Sequence, residues 1–571
     1  MILQALNNYY ERLLADPDKE ISSFGFGKLG IHFCLILDKH GSIMGSPLVL
    51  REDGRPLRIE VPGPIKKTSG IASNFCWENS GYVLGVDSKD KPERTAKTHA
   101  AFKELAAKVL GGVEDEGAEA LLAFLNKWNP EQIEDIPSWS EMLDKNIVFR
   151  LDGTREFIHD RPEVRKAWLR YLGADNNAQK GTCLVTGEND VPIPATHSAV
   201  KGVPGAQSSG AALISFNFDS ARSFGKKQNH NAPVCEQAAF AYTTALNHLL
   251  TSGSRRKLQV GDTTIVFWTD APAKAEDFFG LAMGGKEAED KGVVKELEQY
   301  LEAVTQGSYP DGIGDQDSPF YVLGLSPNAA RLSVRFWYVG TVGSISENIG
   351  LHYKALSIKQ DFESDPRHPK PWWLLKELAP QRDSRNISPL ISGQLIKSII
   401  KNQPYPRTLL VAAIARIRAD KQINYMRACI IKSYLIRNAQ KEISMSLDKE
   451  NTDVGYRLGR LFAIVERIQG DAVPGANATV RDRFFGAAAA TPGRIFPVIL
   501  KDAQHGLAKI RKDKPGWAIN LDKSLQEIMD AMDPREGFPS TLPLENQGMF
   551  VLGYYQQRKQ LYTRKEENKE E

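Results

Sequence analysis

The apolar pattern of this chain changes its period near residue 360, and that change constrains the fold more than any single motif does. Before it, short β-branched runs are separated by glycine- and proline-rich turns, and residues 31–37, 211–216, 263–268 and 331–338 read as strands. The last run alternates by two. Leu332, Val334, Phe336 and Tyr338 make one face, and Arg331, Ser333, Arg335 and Trp337 the other. Helical periods interleave with these strands at residues 2–14, 94–110, 235–250 and 286–304. After the change glycine thins out. Residues 372–378, 389–400, 408–438, 454–468 and 476–512 read as helices, the last interrupted at 486–492. The expectation is an α+β protein with a mixed, β-containing region over 1–360, divisible into two subdomains, and a mostly helical region over 361–571. At 571 residues the chain is too long for one core. Residues 564–571 are charged without apolar anchors and are expected to be disordered.

Enzymatic motifs are scarce. There is no GxxxxGK[ST], HExxH or GxSxG. Gly25-Phe-Gly-Lys-Leu-Gly30 fits GxGxxG by letter, but a strand-like run follows where a dinucleotide site needs a helix. His159-Asp160 is a dipeptide that metal phosphohydrolases use, yet no other histidine lies within 35 residues of it. Cys183, His197, His230 and Cys235 do not have zinc-ligand spacing. No catalytic residue, metal or cofactor is therefore assigned. A standalone metal-dependent nucleic-acid-processing enzyme built from dispersed His, Cys and acidic residues stays as the alternative. The five cysteines Cys34, Cys76, Cys183, Cys235 and Cys429 are scattered without a CxxC, which fits reduced thiols in a cytoplasmic protein. The N-terminus lacks a basic segment before an apolar run, and no window approaches 18 uninterrupted apolar residues, so neither a signal peptide nor a membrane span is expected.

Binding residues are plentiful. Residues 61–85, VPGPIKKTSGIASNFCWENSGYVLG, begin with prolines that forbid helix and continue into Lys66, Lys67, Thr68 and Ser69, then Asn74 and Asn79 among Phe75 and Trp77. Lysine for phosphate and asparagine for base edges are the residue types of nucleic-acid readers. A buried aromatic turn with capping asparagines and solvated lysines also fits these letters, and Phe75 and Trp77 read as fold-supporting. A second block, residues 201–233, offers Gln207, Asn217, Lys226, Lys227, Gln228 and Asn231, with Phe218 and Phe224 interleaved. A polar loop capping a sheet fits these residues too. The net charge is only +3, so any phosphate affinity must come from local patches. Residues 401–437 carry eight cations against Asp420 alone, and residues 481–514 carry eight against three acids. Arg416, Arg418, Lys421, Arg427, Arg481 and Arg483 are the candidates for a sequence-independent phosphate track. The acidic stretch 111–137 reads as a solvated helix and loop that would face away from bound DNA.

Several long stretches also carry a family resemblance. KKTSGIASNFCWENSGYVLG, the opening MILQALNNYYERLL, KGVPGAQSSGAALISFNFDSARSFGKKQNHNAP, FYVLGLSPNAARLSVRFW and YRLGRLFAIVERIQ together resemble the large subunit of the subtype I-C CRISPR Cascade surveillance complex, in order along the whole chain. The resemblance implies a subunit that recognises the short protospacer-adjacent motif (PAM) in double-stranded DNA, typically TTC, and helps open the duplex there. Guide RNA then pairs with one strand in an R-loop and the displaced strand is held on a basic surface. The implied partners are target DNA, a guide-RNA-containing complex with backbone and 5′-handle-binding subunits, and a separate helicase–nuclease that does the cutting. A small subunit made from an internal start is also implied. Met445 is the preferred start, residues 445–571 resembling that subunit, whereas Met426 reads as a mid-helix position.

Overall fold

The computed structural model describes the chain apart from residues 17, 20, 66–70, 90, 174–178, 285–290, 534, 536 and 568–571. The chain forms two units, each held together internally. The first is Met1–Ser198 with Ile214–Ala245, and the second is Ala199–Leu213 with Leu246–Glu571. Residue 360 lies inside the second unit. The class is α+β, with the strands before the helix-rich C-terminal part.

The first unit opens with helix Ile2–Ala15, which buries Leu6, Tyr9, Tyr10 and Leu13. Gly25–Gly30, the GxGxxG by letter, runs into a strand, Phe26–Ile31, rather than a helix. That strand pairs antiparallel with Arg55–Pro62, which pairs in turn with Arg51–Glu52. A second, mixed sheet is ordered Leu48–Val49, Phe33–Leu37, Asn146–Leu151, Glu78–Asn79, and its two central strands run parallel. Helices Pro92–Leu110 and Glu116–Lys127 bury Phe102 and Phe124 with Phe149 of the central strand. The acidic stretch is thus only half solvated. Asp115 caps the second of these helices and pairs with Arg161 at 2.8 Å, while Ala118, Leu121, Phe124 and Leu125 are core.

The second unit contains an antiparallel meander, Lys257–Val260, Thr263–Thr269, Pro319–Asn328 and Arg331–Thr341. Thr263–Thr269 is buried along its whole length. Phe267 and Phe320 face the core with helices Lys274–Ala282 and Val342–Leu356. Trp268, Tyr321 and Trp337 stack with one another, Tyr321 on Trp337 at 5.7 Å. The alternation expected over 331–338 is broken. A register shift opposite Gly324 and Leu325 leaves Val334 44% exposed while Leu332 and Phe336 stay buried. The strand expected at 211–216 does not form, and only isolated bridges at Ala211 and Ala212 occur.

The helical expectation holds after residue 370, with three corrections. The helix read over 408–438 is two, Arg407–Asp420 and Tyr425–Ala439. Lys421 turns left-handed at φ 55° and Asn424 caps the second through the Arg427 N–H. Met426 is therefore the second residue of a helix, not a mid-helix position. Finally, helix Leu544–Glu567 was not anticipated, and it covers residues expected to be disordered up to Glu567. It packs against Val454–Ala472 so closely that a Cβ on Gly459 would lie 2.0 Å from the Phe550 carbonyl, and one on Gly553 2.1 Å from that of Tyr456.

Candidate nucleic-acid interface

The lysines and hydroxyls Lys66, Lys67, Thr68 and Ser69 lie outside the described residues, but the chain on both sides of them is firmly held. On one side Gly63 continues the ladder by donating to the Gly25 carbonyl at 2.8 Å. On the other, Trp77 is buried and its Nε1–H donates to the Pro62 carbonyl at 2.7 Å. Phe75 stacks on Trp168 at 5.0 Å, so both aromatics support the fold, as the sequence suggested. Asn74 is 4% exposed. Its Oδ1 accepts from the Ile65 N–H at 2.9 Å and its Nδ2 donates to Glu78 at 3.0 Å. Asn79 caps helix Ser80–Val83 by accepting from the Gly81 N–H at 3.1 Å. Asn74 thus ties Ile65 to Glu78, and the Asn79 side chain is committed to the cap of the next helix and to Glu78.

The second block forms an exposed loop. Asn229 is buried, its N–H donating to the Ala195 carbonyl and its Nδ2 to that of Pro194. Asn231 accepts from the Ser223 N–H at 2.9 Å and donates to the Gln228 carbonyl at 2.9 Å, pinning the loop across its neck. Lys226, Lys227 and Gln228 stand exposed within the braced segment, Asn217 is exposed ahead of it, and Gln228 has φ 50°. Gln207 belongs to the second unit, exposed on a turn closed by the Gly210 N–H on its carbonyl.

Helical cations divide into two populations. Arg427 is 1% exposed, pairs with Asp420 at 2.6 Å and donates to the Gln422 carbonyl at 2.9 Å. It closes the junction between two helices and is not available to a DNA strand, which corrects the sequence reading. Arg416 pairs with the same Asp420, and Arg481 faces Glu466 at 3.6 Å. Lys432 is also internal. Burial pushes its pKa down to about 8, and its ammonium donates to the Ser357 carbonyl. Arg418, Lys421 and Arg483 remain exposed, with Arg418 donating to Gln547 at 2.7 Å.

Of the basic run counted over 481–514, several members form a row on helix Pro492–Asp513. Phe496, Ile499, Ala503, Leu507 and Ile510 face the core, and Arg494, Lys501, His505, Lys509 and Lys512 are exposed. At 100° per residue those five fall on one face, opposite the core residues, over about 27 Å. The signal was present in the spacing of 494, 501, 505, 509 and 512, but counting charge along the chain does not reveal which cations share a face.

A family model for a CRISPR-associated protein, Cas_Csd1, matches residues 6–562. The chain belongs to that CRISPR-associated family. No curated protein matches it.

Within this family member, the groups weighed as catalytic or metal-binding are held by the fold as follows. His159 is 1% exposed and its Nε2 lies 3.0 Å from the Glu60 carbonyl. Burial holds its pKa down at about 4. Burial raises that of Asp160 to about 6, against the pull of Arg165. Cys183 and Cys235 adjoin, the Cys235 N–H donating to Cys183 Sγ at 3.2 Å. Burial pushes Cys235 up to about 11. His197 instead meets Tyr242 at 2.6 Å. Among the described residues no three His, Cys, Asp or Glu side chains converge to hold a metal, and no described helix is long and apolar enough to cross a membrane.

Proposed function

We propose that this CRISPR-associated protein is the large subunit of a subtype I-C RNA-guided surveillance complex, recognising the PAM in duplex DNA without catalysing a reaction itself. The carrying observation is the family match over residues 6–562, together with two braced polar loops and a separate cationic helix face. In this reading Lys66, Lys67, Thr68 and Ser69 meet the duplex, and the buried Asn74 positions their loop. Asn79 caps the helix that follows. Lys226, Lys227 and Gln228, with Asn217, flank the opened end from a loop braced by Asn231, and Gln207 touches the duplex as well. Guide RNA reads the protospacer while protein reads only the PAM. The displaced strand of the R-loop lies on Arg418, Lys421 and Arg483 and along Arg494, Lys501, Lys509 and Lys512, a sequence-independent phosphate track. The partners are the guide-RNA complex with its backbone and 5′-handle-binding subunits, a recruited helicase–nuclease and a small subunit, all in the cytoplasm.

Met445 begins that small subunit. It lies 59% exposed in a non-helical stretch before Val454–Ala472, so initiation there would interrupt no helix. Replacing Met445 with a residue that cannot initiate should abolish a small co-purifying protein.

The test of the main reading is binding by the reconstituted complex to duplexes that differ only at the PAM. Preference for one short motif is expected, and equal affinity for all would overturn the reading.

A further inference from the structure

Two of the five cysteines stand apart from the rest. Cys34, Cys76 and Cys429 are buried, and burial pushes each thiol up, to about 12 for Cys34 and Cys429. Cys183 goes the other way. Burial alone would raise it, but its sulfur accepts the Cys235 N–H at 3.2 Å and the Thr186 N–H at 3.5 Å. The Val185 N–H and the Thr186 hydroxyl add to these, and its pKa falls below the ordinary thiol value. Donors aimed at a sulfur stabilise its thiolate. A tight turn holds that sulfur in place. The Cys183 N–H donates to the Glu188 carbonyl at 2.8 Å, and the Gly187 N–H returns to the Cys183 carbonyl at 2.9 Å. Cys235 arrives from 52 residues away, just before helix Glu236–Leu250, where the Leu184 N–H also donates to the Pro233 carbonyl at 2.9 Å. The Cys235 thiol is hydrogen-bonded to the Cys183 sulfur, and burial with that sulfur beside it pushes it up to about 11. A stabilised thiolate touching a protonated thiol is the resting state of a reactive dithiol.

We propose that Cys183 and Cys235 are a reversible redox pair, closed to a disulfide by a peroxide, that fastens the neck of the 217–231 loop. The inference goes beyond the DNA-reading role and does not rest on it. The Cys183 thiolate attacks one oxygen of hydrogen peroxide and the O–O bond breaks. The sulfur becomes a sulfenic acid, and the other oxygen takes a proton and leaves as water. The Cys235 sulfur then attacks the sulfenic sulfur. The S–S bond forms, and the Cys235 proton leaves with the sulfenic hydroxyl as a second water. Two electrons pass from the sulfurs to the peroxide, and a dithiol reductant returns them. Sulfurs already in hydrogen-bond contact need only a short approach to reach the about 2.05 Å of a disulfide. Both thiols are buried, but Cys183 lies beneath a turn whose Thr182, Leu184 and Thr186 are exposed, which suits an oxidant as small as peroxide. A metal is the weaker reading, because among the described residues no third His, Cys, Asp or Glu joins the pair. The link matters through its place. It anchors the chain just beyond Asn231, whose side chain already holds the Ser223 N–H and the Gln228 carbonyl. Disulfides in cytosolic proteins are typically transient and redox-sensing.

The test treats the assembled complex with hydrogen peroxide at neutral pH, then alkylates it and maps its thiols by mass spectrometry. A Cys183–Cys235 cross-linked peptide should form at least tenfold faster than Cys34, Cys76 or Cys429 is oxidised, and dithiothreitol should restore both thiols. Amide hydrogen exchange over 217–231 should slow at least fivefold in the oxidised complex. Cys235→Ser removes the second thiol and should leave Cys183 as a sulfenic acid that dimedone traps. A wild-type pair that stayed reduced, or reacted no faster than the other three cysteines, would overturn the inference without recourse to any variant. A disulfide that left exchange over 217–231 unchanged would overturn it too, since the neck would then be indifferent to the link. Discrimination between duplexes by the reduced complex is measured separately, so failure here and failure of the DNA-reading role are distinguishable.

Discussion

The polar loops of the first unit and the C-terminal helices of the second handle polar side chains in opposite ways. In the 217–231 loop, asparagines satisfy the backbone and the lysines are left in solvent. In the helices, cations are drawn inward. Arg427 and Lys432 meet carbonyl oxygens in the packed interior, and Arg427 also meets acids. A loop carries many unpaired backbone groups that a short amide can reach, so Asn is consumed and Lys is free. A close-packed bundle has unpaired groups chiefly at helix ends and junctions, and long cationic stems can reach them from a distance. Charge counted along a sequence therefore reports surface charge better in loops than in packed helices.

The strongest way to break the helical side of this comparison is to pry its helices apart. Gly459→Ala must move the backbone of helix Leu544–Glu567, because the clash is with a carbonyl rather than a flexible side chain. A loss of about 3 kcal/mol or more is expected in urea denaturation. Gly470→Ala, on the same helix with open space around it, should gain about 1 kcal/mol. Arg427→Ala comes next. It leaves Asp420 and Glu377 without their buried partner and should cost about 3 kcal/mol, whereas Arg418→Ala at an exposed position should stay within about 0.5 kcal/mol. Equal effects of the two arginines would erase the distinction between internal and surface cations.

Much of the fold was legible because its signals are local. The helices 389–400 and 454–468 and the strand 263–268 appear where the spacing put them, whereas the last described strand already ends at Thr341 and residue 360 marks no boundary between units. What was missed has physical causes. Helix Leu544–Glu567 is buried on all sides from Gly548 to Gln557, so it shows no amphipathic stripe to read. The break at Lys421 depends on a left-handed residue and a capping Asn424 inside a run of good helix formers. Of the candidate site, the composition of both loops was readable. The inward turn of Asn74 and Arg427 was not, because it depends on Glu78 from the next strand, and on Glu377, which is 50 residues away.

Acid should weaken both units by a smaller amount. His159 in the first and His352 in the second are buried, with pKa values held down at about 4 and about 3 by desolvation. The unfolded chain takes up protons first, so stability present above pH 6.5 is lost as the pH falls toward 4. Each histidine should cost about 2 kcal/mol between pH 6.5 and 5. Asp160, raised to about 6, works in the opposite direction over pH 6 to 4 and blunts the loss in the first unit. Urea midpoints at pH 7 and 5 for wild type and His352→Gln would show this. An unchanged acid sensitivity in the variant would remove His352 as a cause.

The central claim is that loops read and helices hold. It is tested most directly by the salt dependence of DNA binding by the complex, measured on duplexes with and without the PAM. Replacing Arg494, Lys501, Lys509 and Lys512 with alanine should flatten the log–log salt slope by about 0.7 for each phosphate no longer neutralised and leave PAM preference unchanged. Replacing Lys226 and Lys227 should weaken the opening step beside the PAM. A helix variant that changed PAM choice while keeping the wild-type salt slope would contradict the account.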